Sequence, residues 1–465
     1  MRPIIKNAIL STMALLGLST NAAEPTTVNH PAWADNAVIY EANVRQYTPE
    51  GTFTAFSRQL PRLKQLGADI IWFMPIHPIS QVNRKGELGS YYAVADYKGV
   101  NPEFGSIDDF RATVKQAHDL GMKVIIDWVP NHTGCDNAWV KDHPDRYQRD
   151  KDGNMYGPFD WTDVYRLDYS NPDTRTAMID AMSYWLREAD IDGFRCDVAG
   201  MVPVDFWNEA RVALQNVKRD IFMLAEDSKP ELVAHAFDMD YNWPMKDLFN
   251  AIAATAGQYT FVAPGDSVVK QLPVRHAADI ITMVEKQDNE FPAGSILMNM
   301  VTNHDLNSWE GTEMQRYGNL ADAMAVLSFT LPGMPLIYTG QETGMDRALE
   351  FFVKDTPPTW EPRNRYFDFY RSLAELKHSR PELNTGNNPG EFTAIPTKSQ
   401  DIVAFERSAN GQSTIVAANL GTKTEKLKLP SRKFTNVTDY TTGEAVKAWP
   451  KSLAPGEYFI YITHK

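Results

Sequence analysis

The sequence is poor in the features that mark disulfide-rich, membrane-spanning or nucleic-acid-binding proteins. Its 465 residues include two cysteines, Cys135 and Cys196, so a disulfide framework is excluded. After the N-terminal region, no apolar run is long enough to cross a bilayer. Asp and Glu outnumber Lys and Arg by 59 to 46, and the resulting charge of −13 makes nucleic acid and anionic membranes poor partners. A neutral substrate or a cation fits better.

What is present is typical of a large globular protein. Hydrophobic residues make up 43% of the chain and charged residues 23%, which excludes disordered, collagen-like and coiled-coil proteins. The length predicts one large domain with a smaller one, or two to three domains. Aromatic residues are plentiful at 11%, with 11 tryptophans that could form stacking surfaces.

Residues 1–22 have the three parts of a secretory signal peptide. Arg2 and Lys6 form a basic start, Ala8 to Leu18 is a short apolar segment, and small residues precede a cleavage site after Ala22. A buried N-terminal helix is the alternative. No cysteine follows the apolar segment, so we expect a secreted or periplasmic protein without a lipid anchor. Removal of the two cations changes the charge from −13 to −15, and no membrane association is expected after cleavage.

Short β-rich runs alternate with helical stretches from about residue 37 to 380. Eight βα units over this length predict a (β/α)8 TIM barrel of the α/β class, with an open doubly wound sheet as the alternative. No glycine-rich phosphate fingerprint follows a strand, which disfavours the open sheet. The predicted strands are 37–41, 69–73, 123–127, 193–197, 221–225, 236–238, 297–301 and 335–339.

Two stretches interrupt this alternation. Residues 131–165 follow the third strand, are rich in Asp, Asn, Gly and Pro, and predict a short B insertion. After a turn cluster near residue 384, short strands without helical periodicity predict a C-terminal antiparallel β-sandwich. The expected domains are the barrel in two parts (23–130 and 166–382), the insertion (131–165) and the sandwich (383–465).

Four acidic residues stand at the C-terminal ends of predicted strands, where barrel active sites lie. The 29 residues between Asp197 and Glu226 correspond to one βα unit, so these two side chains should come from neighbouring strands. Carboxyl groups about 5–5.5 Å apart act as nucleophile and acid in retaining glycoside hydrolysis. The alternative is helix capping, since acids after strands often cap the next helix. The other two acids are Asp127 and Asp305.

In the segment Gly193 to Asp197, alternate side chains share one face of the strand. Arg195 and Asp197 should therefore point together into the barrel mouth, while Cys196 points toward the helices. A guanidinium beside Asp197 favours the ionised carboxylate that a nucleophile needs. A structural ion pair is the alternative, although burying two charges is costly.

Four segments in order resemble the signature motifs of the α-amylase family of glycoside hydrolases (family 13), and the match suggests an exported bacterial-type α-amylase. Residues 127–132 (DWVPNH) resemble the first motif and residues 193–197 (GFRCD) the second. Glu226 stands at the position of the third, and residues 301–305 (VTNHD) match the fourth. The resemblance covers nearly the whole chain after the signal and implies a barrel with a B insertion and a C-terminal sandwich.

The resemblance implies a role for each matching residue. Asp197 would be the nucleophile, Glu226 the general acid/base, and Asp305 would bind the 2- and 3-hydroxyls of the sugar in subsite −1. Arg195 would hold Asp197, and Asp127 would hold Arg195. The residues that would contact the sugar are His132 and His304, by hydrogen bonds, and Tyr92, by stacking.

Two departures from the family pattern concern the aglycone side and the metal. Many α-amylases have Lys-His three and four residues after the nucleophile, where this chain has Gly200 and Met201. The family's structural calcium commonly uses the asparagine matching Asn131 and an aspartate in the insertion, where this chain has Arg166. Because a cation there could replace the charge of the metal, we expect no calcium site and no required cofactor; if calcium bound, Asn131 would be a ligand.

The predicted activity is retaining hydrolysis of α-1,4-glucosidic bonds in starch or malto-oligosaccharides, by a monomer. The alternatives are a neopullulanase- or cyclomaltodextrinase-like hydrolase, an α-glucan transglycosylase and a non-catalytic glucan-binding protein. Five tryptophans in or near predicted rim loops are candidate sugar platforms, with ordinary packing as the alternative. They are Trp139, Trp161, Trp243, Trp309 and Trp360.

Overall fold

A computed structural model describes residues 26–464; the predicted signal peptide lies outside the described residues. Eight parallel strands form a closed barrel in which β1 pairs with both β2 and β8, which confirms the predicted fold class. The strands are β1 (Ile39–Ala42), β2 (Ile70–Phe73), β3 (Lys123–Trp128), β4 (Gly193–Cys196), β5 (Phe222–Ala225), β6 (Met239–Tyr241), β7 (Ile296–Asn299) and β8 (Met334–Tyr338).

Helices surround the barrel and begin at local capping signals. Ser106 and Asp109 form a reciprocal capping box at the helix Ile107–Asp119, and Gly67 ends the helix Leu60–Leu66 with a left-handed φ of 99°. The other main helices are Pro172–Glu188, Val204–Val217, Trp243–Thr255, Asp279–Glu290, Ala321–Thr330 and Arg365–Ser379. Shorter helices are Val44–Tyr47, Phe53–Ser57, Ala138–Asp142, Pro230–His235 and Glu313–Tyr317.

The barrel strands separate two hydrophobic cores. Outward-facing strand residues such as Ile71 and Ile126 pack against the helices in the larger cluster. Inward-facing residues such as Ile125, Leu224 and Met298 fill the barrel interior as a smaller one. The barrel is therefore a packed core, and chemistry is restricted to its rims.

The sixth strand lies three residues later than the sequence predicts, at Met239–Tyr241 rather than 236–238. Ala236 instead caps the preceding helix. Buried Asp238 accepts a 2.6 Å hydrogen bond from Arg211 and one of 2.8 Å from the Met223 amide. These tertiary partners, which local pattern cannot show, place the strand beyond Asp238.

The insertion after β3 contains a small antiparallel hairpin in which His132–Gly134 pairs with Val164–Arg166. Its register sets His132 opposite Arg166, so the first motif and the end of the insertion are joined.

The C-terminal region is antiparallel, as predicted. One face of its five-stranded sheet contributes Phe405 and Val416 to the barrel–helix core, and the other packs on a two-stranded sheet through Ile415 and Leu453. In spatial order the large sheet contains Glu391–Ala394, Ile402–Ala409, Gln412–Asn419, Tyr458–Thr463 and Val437–Asp439; the small one contains Glu425–Lys426 and Ser452–Leu453. Among residues 26–464, no helix is long and apolar enough to cross a membrane.

Candidate active site

Arg195 is the centre of a buried ion cluster at the C-terminal ends of the strands. Its Nη1 lies 2.8 Å from Asp127 Oδ1 on β3 and 3.1 Å from Asp197 Oδ1 after β4. Its Nη2 lies 2.9 Å from Glu226 Oε2, directly after β5. One guanidinium therefore contacts three carboxyl groups supplied by three adjacent strands.

A hydrogen-bond chain connects this cluster to the opposite side of the barrel mouth. His304 Nδ1 is 2.5 Å from Glu41 Oε1 at the end of β1, and His304 Nε2 is 2.8 Å from Tyr92 Oη. Tyr92 Oη in turn donates to Asp127 Oδ2 over 3.0 Å. The Tyr92 ring also stacks on the His304 ring, with centroids 5.5 Å apart. These contacts fix both side chains at the floor of the mouth.

A cavity of about 480 Å³ opens above these residues. Six of the eight predicted site residues line it, while Asp127 and Arg195 are fully buried beside it. The six are Tyr92, His132, Asp197, Glu226, His304 and Asp305. The structure thus brings all eight residues into one constellation.

The electrostatics differ from the simple expectation that Arg195 keeps Asp197 ionised. Burial and the Glu226 carboxyl raise the pKa of Asp197 well above its ordinary value, against the influence of Arg195. Burial likewise raises the pKa of Asp127 to about 6, despite its contact with Arg195. A single cation is shared by three carboxyl groups, so Arg195 only partly offsets the burial of Asp197 and its repulsion by Glu226.

The two histidines of the motifs have opposite charge states. Burial opposes the charged form of His304, but the carboxylates of Asp305 and Glu41 outweigh it and raise its pKa to about 9. With both ring nitrogens protonated, His304 can donate to Glu41 and to Tyr92 at once. Burial lowers the pKa of His132 to about 4, so that ring is neutral at pH 7.

A buried carboxylate fixes the loop that carries Glu226. Asp240 on β6 accepts backbone N–H groups from Asp227 at 3.1 Å, Lys229 at 2.8 Å and Tyr241 at 2.9 Å. Glu226 Oε2 also accepts the Val198 amide at 2.8 Å. Asp240 was missed at the sequence level because the sixth strand was placed too early.

Side chains of the loop after β5 fill the space beside Gly200. A Cβ built on Gly200 would lie 1.6 Å from Asp227 Oδ2 and 2.5 Å from Lys229 Nζ. Lys229 Nζ itself bonds the Gly200 carbonyl at 3.0 Å and pairs with Asp227 at 3.1 Å. The loops after β4 and β5 are therefore in direct contact, and a lysine from the second loop occupies the space a side chain at 200 would need.

Two residues at the expected calcium position lie beside His132. Asn131 Nδ2 lies 3.1 Å from His132 Nδ1, and Arg166 pairs across the hairpin with His132. Within the described part of the chain, no group of three or more His, Cys, Asp or Glu side chains could hold a metal ion. Independence from calcium stays a prediction.

Of the five candidate tryptophan platforms, Trp161 and Trp309 line the cavity. Trp360 instead stacks on Tyr47, with ring centroids 4.3 Å apart, and Trp243 packs on Tyr241. Two phenylalanines that the sequence did not single out also line the cavity, Phe351 and Phe352. Both cysteines are buried and free.

Fold and site define a barrel enzyme whose rim carries paired carboxyl groups. A family model described as "Alpha amylase, catalytic domain" matches residues 32–166 and 147–366. The chain therefore belongs to the α-amylase family of glycoside hydrolases.

Two proteins of similar sequence and one of similar structure serve for comparison. The chain is 27% identical to α-amylase MalA of Haloarcula japonica, over 89% of this chain and 59% of that protein. It is 26% identical to a cyclomaltodextrinase of Thermoanaerobacter pseudethanolicus, over 79% and 63% of the two chains. The crystal structure of a noncanonic maltogenic α-amylase, AmyB from Thermotoga neapolitana, matches with a TM-score of 0.78 at 29% identity, covering 92% of this chain and 98% of that one. The chain thus spans about 60% of the length of the two curated relatives.

Proposed function

We propose that the protein is a retaining α-glucan hydrolase that cleaves α-1,4-glucosidic bonds in malto-oligosaccharides, of the cyclomaltodextrinase, neopullulanase and maltogenic-amylase kind. The contact of Asp197 and Glu226 with the same Arg195 guanidinium carries the proposal. Because both groups contact one guanidinium, they lie close together, as the nucleophile and the general acid of double displacement must.

In the first step Glu226 transfers its proton to the glycosidic oxygen while an Asp197 oxygen attacks the anomeric carbon. The bond from that carbon to the leaving oxygen breaks, and a glycosyl ester with Asp197 forms. In the second step Glu226 removes a proton from water, the water oxygen attacks the same carbon, and the ester bond breaks. Asp305 binds sugar hydroxyls in subsite −1, and Tyr92 provides a face for its ring.

Two observations favour this kind of enzyme over an α-amylase specialised for long starch chains. Two of the three similar proteins are a cyclomaltodextrinase and a maltogenic α-amylase. In addition, the Lys-His pair of many α-amylases is replaced by Gly200 and Met201, with Lys229 packed against Gly200. The aglycone side of the site is therefore built differently.

The nucleophile is tested by Asp197→Asn, which we expect to lower kcat at least about 10³-fold, the scale for core catalytic groups. Asp205→Asn, an exposed acid on the helix Val204–Val217, is the matched control. Activity of Asp197→Asn within tenfold of the wild type would remove Asp197 from its role. A glucan-binding protein without catalysis would show no turnover in any variant.

Substrate class is tested by comparing initial rates on maltoheptaose, soluble starch, pullulan and β-cyclodextrin. We expect maltoheptaose to exceed starch in kcat/KM. Product analysis at high substrate concentration separates hydrolysis from transfer, because transglycosylation yields products longer than the substrate. Preferential cleavage of starch would favour the α-amylase alternative.

We also propose that the enzyme is exported, monomeric and independent of a cofactor. Mass measurement of the protein from an extracytoplasmic fraction would detect cleavage after Ala22. Light scattering on the purified enzyme gives its mass in solution, and activity after chelation and dialysis tests the need for calcium.

A further inference from the structure

One half of the barrel mouth is bounded by loops that are fastened to one another. We call this feature the end wall and define it as residues 81–90 after β2, residues 349–355 after β8, and Arg45 and Gln46 after β1. It lines the cavity through residues from both long loops. These are Lys85, Ser90, Phe351 and Phe352.

The two long loops of the end wall meet directly. The Leu88 amide donates to the Phe352 carbonyl over 2.8 Å, which joins the loops by a backbone hydrogen bond. Gly86 packs so closely on Phe352 that a Cβ on Gly86 would lie 2.4 Å from Phe352 Cβ. Gly86 also has a left-handed φ of 65°, so glycine suits this contact for two reasons.

Buried polar side chains from the helix Val44–Tyr47, which follows β1, hold the junction. Arg45, 1% exposed, donates to the carbonyls of Gly89 at 3.5 Å and Phe351 at 3.4 Å, one in each loop. Gln46, fully buried, donates to the carbonyls of Glu350 at 2.6 Å and Val353 at 2.7 Å. These bonds satisfy backbone groups that would otherwise be buried unpaired.

The end wall continues into both neighbouring loops. On the β3 side, Asp136 Oδ2 of the insertion accepts the Gln81 amide at 2.7 Å. Lys85 Nζ also lies 3.4 Å from Asp163 Oδ1 of the insertion. On the β7 side, Asn307 Oδ1 accepts the Leu349 amide at 2.7 Å. A connected rim therefore extends from the insertion through the loops after β2 and β8 to the loop after β7.

The position of Glu226 shows which part of a substrate faces this rim. Glu226 follows β5, and in the closed strand order β5 lies opposite β1. A general acid stands on the side of the leaving group, because it protonates the departing oxygen. The aglycone therefore leaves toward β5, and the retained sugars extend toward β1, where the end wall stands.

We propose that the end wall closes the glycone side of the site, so that the enzyme takes the non-reducing end of a linear α-glucan and releases a short product of fixed length. The proposal rests on the function proposed above and names its substrate end. The terminal sugar would meet aromatic faces, since the Phe351 ring lies within 13° of parallel to Tyr92 at 6.4 Å and packs on Trp309 at 5.6 Å.

The test compares two forms of nitrophenyl maltoheptaoside, one with a free non-reducing end and one whose terminal O4 and O6 carry an ethylidene group. Products are separated by chromatography at early times. We expect the blocked form to react about 10²-fold more slowly. The end wall would exclude the blocked terminal sugar, so the bond to be cleaved would not be held in position at the carboxyl groups. We also expect one short product from the first time point. β-Cyclodextrin would still be a substrate, but because it has no free end, opening of the ring should be slower than cleavage of the linear chain that results.

A variant provides the second arm. Phe352→Ala removes the side chain at the loop junction. It should lower the ratio of the rate on the free substrate to the rate on the blocked one about tenfold, which corresponds to about 1.4 kcal/mol in the difference between the two activation free energies. Phe392→Ala, a half-buried phenylalanine that packs on Phe405 in the C-terminal sheet, is the matched control and should leave the ratio unchanged.

The outcomes separate the two proposals. Equal rates on the free and blocked substrates in the wild type, with a ladder of products, would overturn closure while leaving hydrolysis in place. No cleavage of either substrate would overturn the proposed function, and the closure proposal with it. If Phe352→Ala keeps the wild-type kcat and leaves the ratio of free to blocked rates unchanged, Phe352 does not contribute to the closure of the glycone side.

Discussion

The two halves of the barrel mouth are held by polar groups of opposite kind. In the half with the end wall, Arg45 and Gln46 donate to backbone carbonyls of the loops after β2 and β8. In the half with Glu226, the Asp240 carboxylate accepts three backbone N–H groups of the residues after β5 and on β6. Side-chain donors thus fix one half of the mouth, and side-chain acceptor oxygens fix the other.

The difference shows how a barrel can hold irregular loops firmly. Loop backbones cannot satisfy one another as strands do, so their buried N–H and C=O groups need side-chain partners. A guanidinium has five donors and suits clustered carbonyls, whereas a carboxylate has two acceptor oxygens and suits converging amides. The bonds of Arg45 and Gln46 hold the loops on the glycone side, and those of Asp240 position the loop that carries Glu226.

The largest expected effect breaks the donor side. Arg45→Met keeps much of the buried stem but removes every donor, so carbonyls of both loops are left without partners. We expect the free energy of unfolding to fall by about 3 kcal/mol, the scale for buried unpaired polar groups. Denaturant unfolding measures it, and a loss below about 0.5 kcal/mol would show that the end wall does not depend on Arg45.

Arg45→Lys is the matched comparison. It keeps the charge but loses the fork that reaches both loops, so we expect an intermediate loss of stability. A stability equal to that of the wild type would indicate that charge alone, rather than the geometry of the guanidinium, holds the loops.

The acceptor side is tested by Asp240→Asn. The amide keeps one acceptor oxygen but turns an NH2 group toward an N–H group, so the loop after Glu226 should shift. We expect kcat to fall about 30-fold, or about 2 kcal/mol, with a small change in KM, because Asp240 acts on the position of the acid. If Glu226 is repositioned, the pH profile of kcat should also change in the variant. An unchanged profile with a lower kcat would indicate general destabilisation.

A smaller effect is expected at the junction of the β4 and β5 loops. Gly200→Ala introduces a methyl group into space held by Asp227 and Lys229, so these side chains must move and their ion pair is disturbed. We expect kcat/KM on maltoheptaose to fall about tenfold, the cost of about 1–3 kcal/mol for overpacking. Lys229→Ala should partly restore the Gly200→Ala variant, because it removes one clashing group. The absence of any rescue would contradict this packing explanation.

The smallest effect concerns His304, at the floor of the barrel mouth. The pKa of His304, about 9, lies above the ordinary histidine value of 6.5, so its contribution to stability is complete below pH 6.5 and is lost as the pH rises through about 9. The difference in Tm between the wild type and His304→Gln should therefore shrink between pH 7 and pH 10. A difference that stays constant over this range would show that His304 is neutral throughout.

Sequence reasoning found the residues whose signal is local. Acids at strand ends and the alternation around Arg195 located the carboxyl cluster. Glu41 carries the same signal at the end of β1 but belongs to none of the four motifs, and it was missed. Arg45 was missed for a different reason, since the carbonyls it binds in the β8 loop lie about 300 residues away along the chain.

By itself the sequence determined the barrel, the order of its strands and the carboxyl groups at its rim. These follow from hydrophobic periodicity and from residues at strand ends, which are short-range properties. Only the tertiary structure decided that three carboxyls share one guanidinium, that Asp227 and Lys229 fill the space beside Gly200, and that the loops after β2 and β8 meet. The physical reason is that desolvation, charge sharing and loop contact depend on distances between segments that no local pattern specifies.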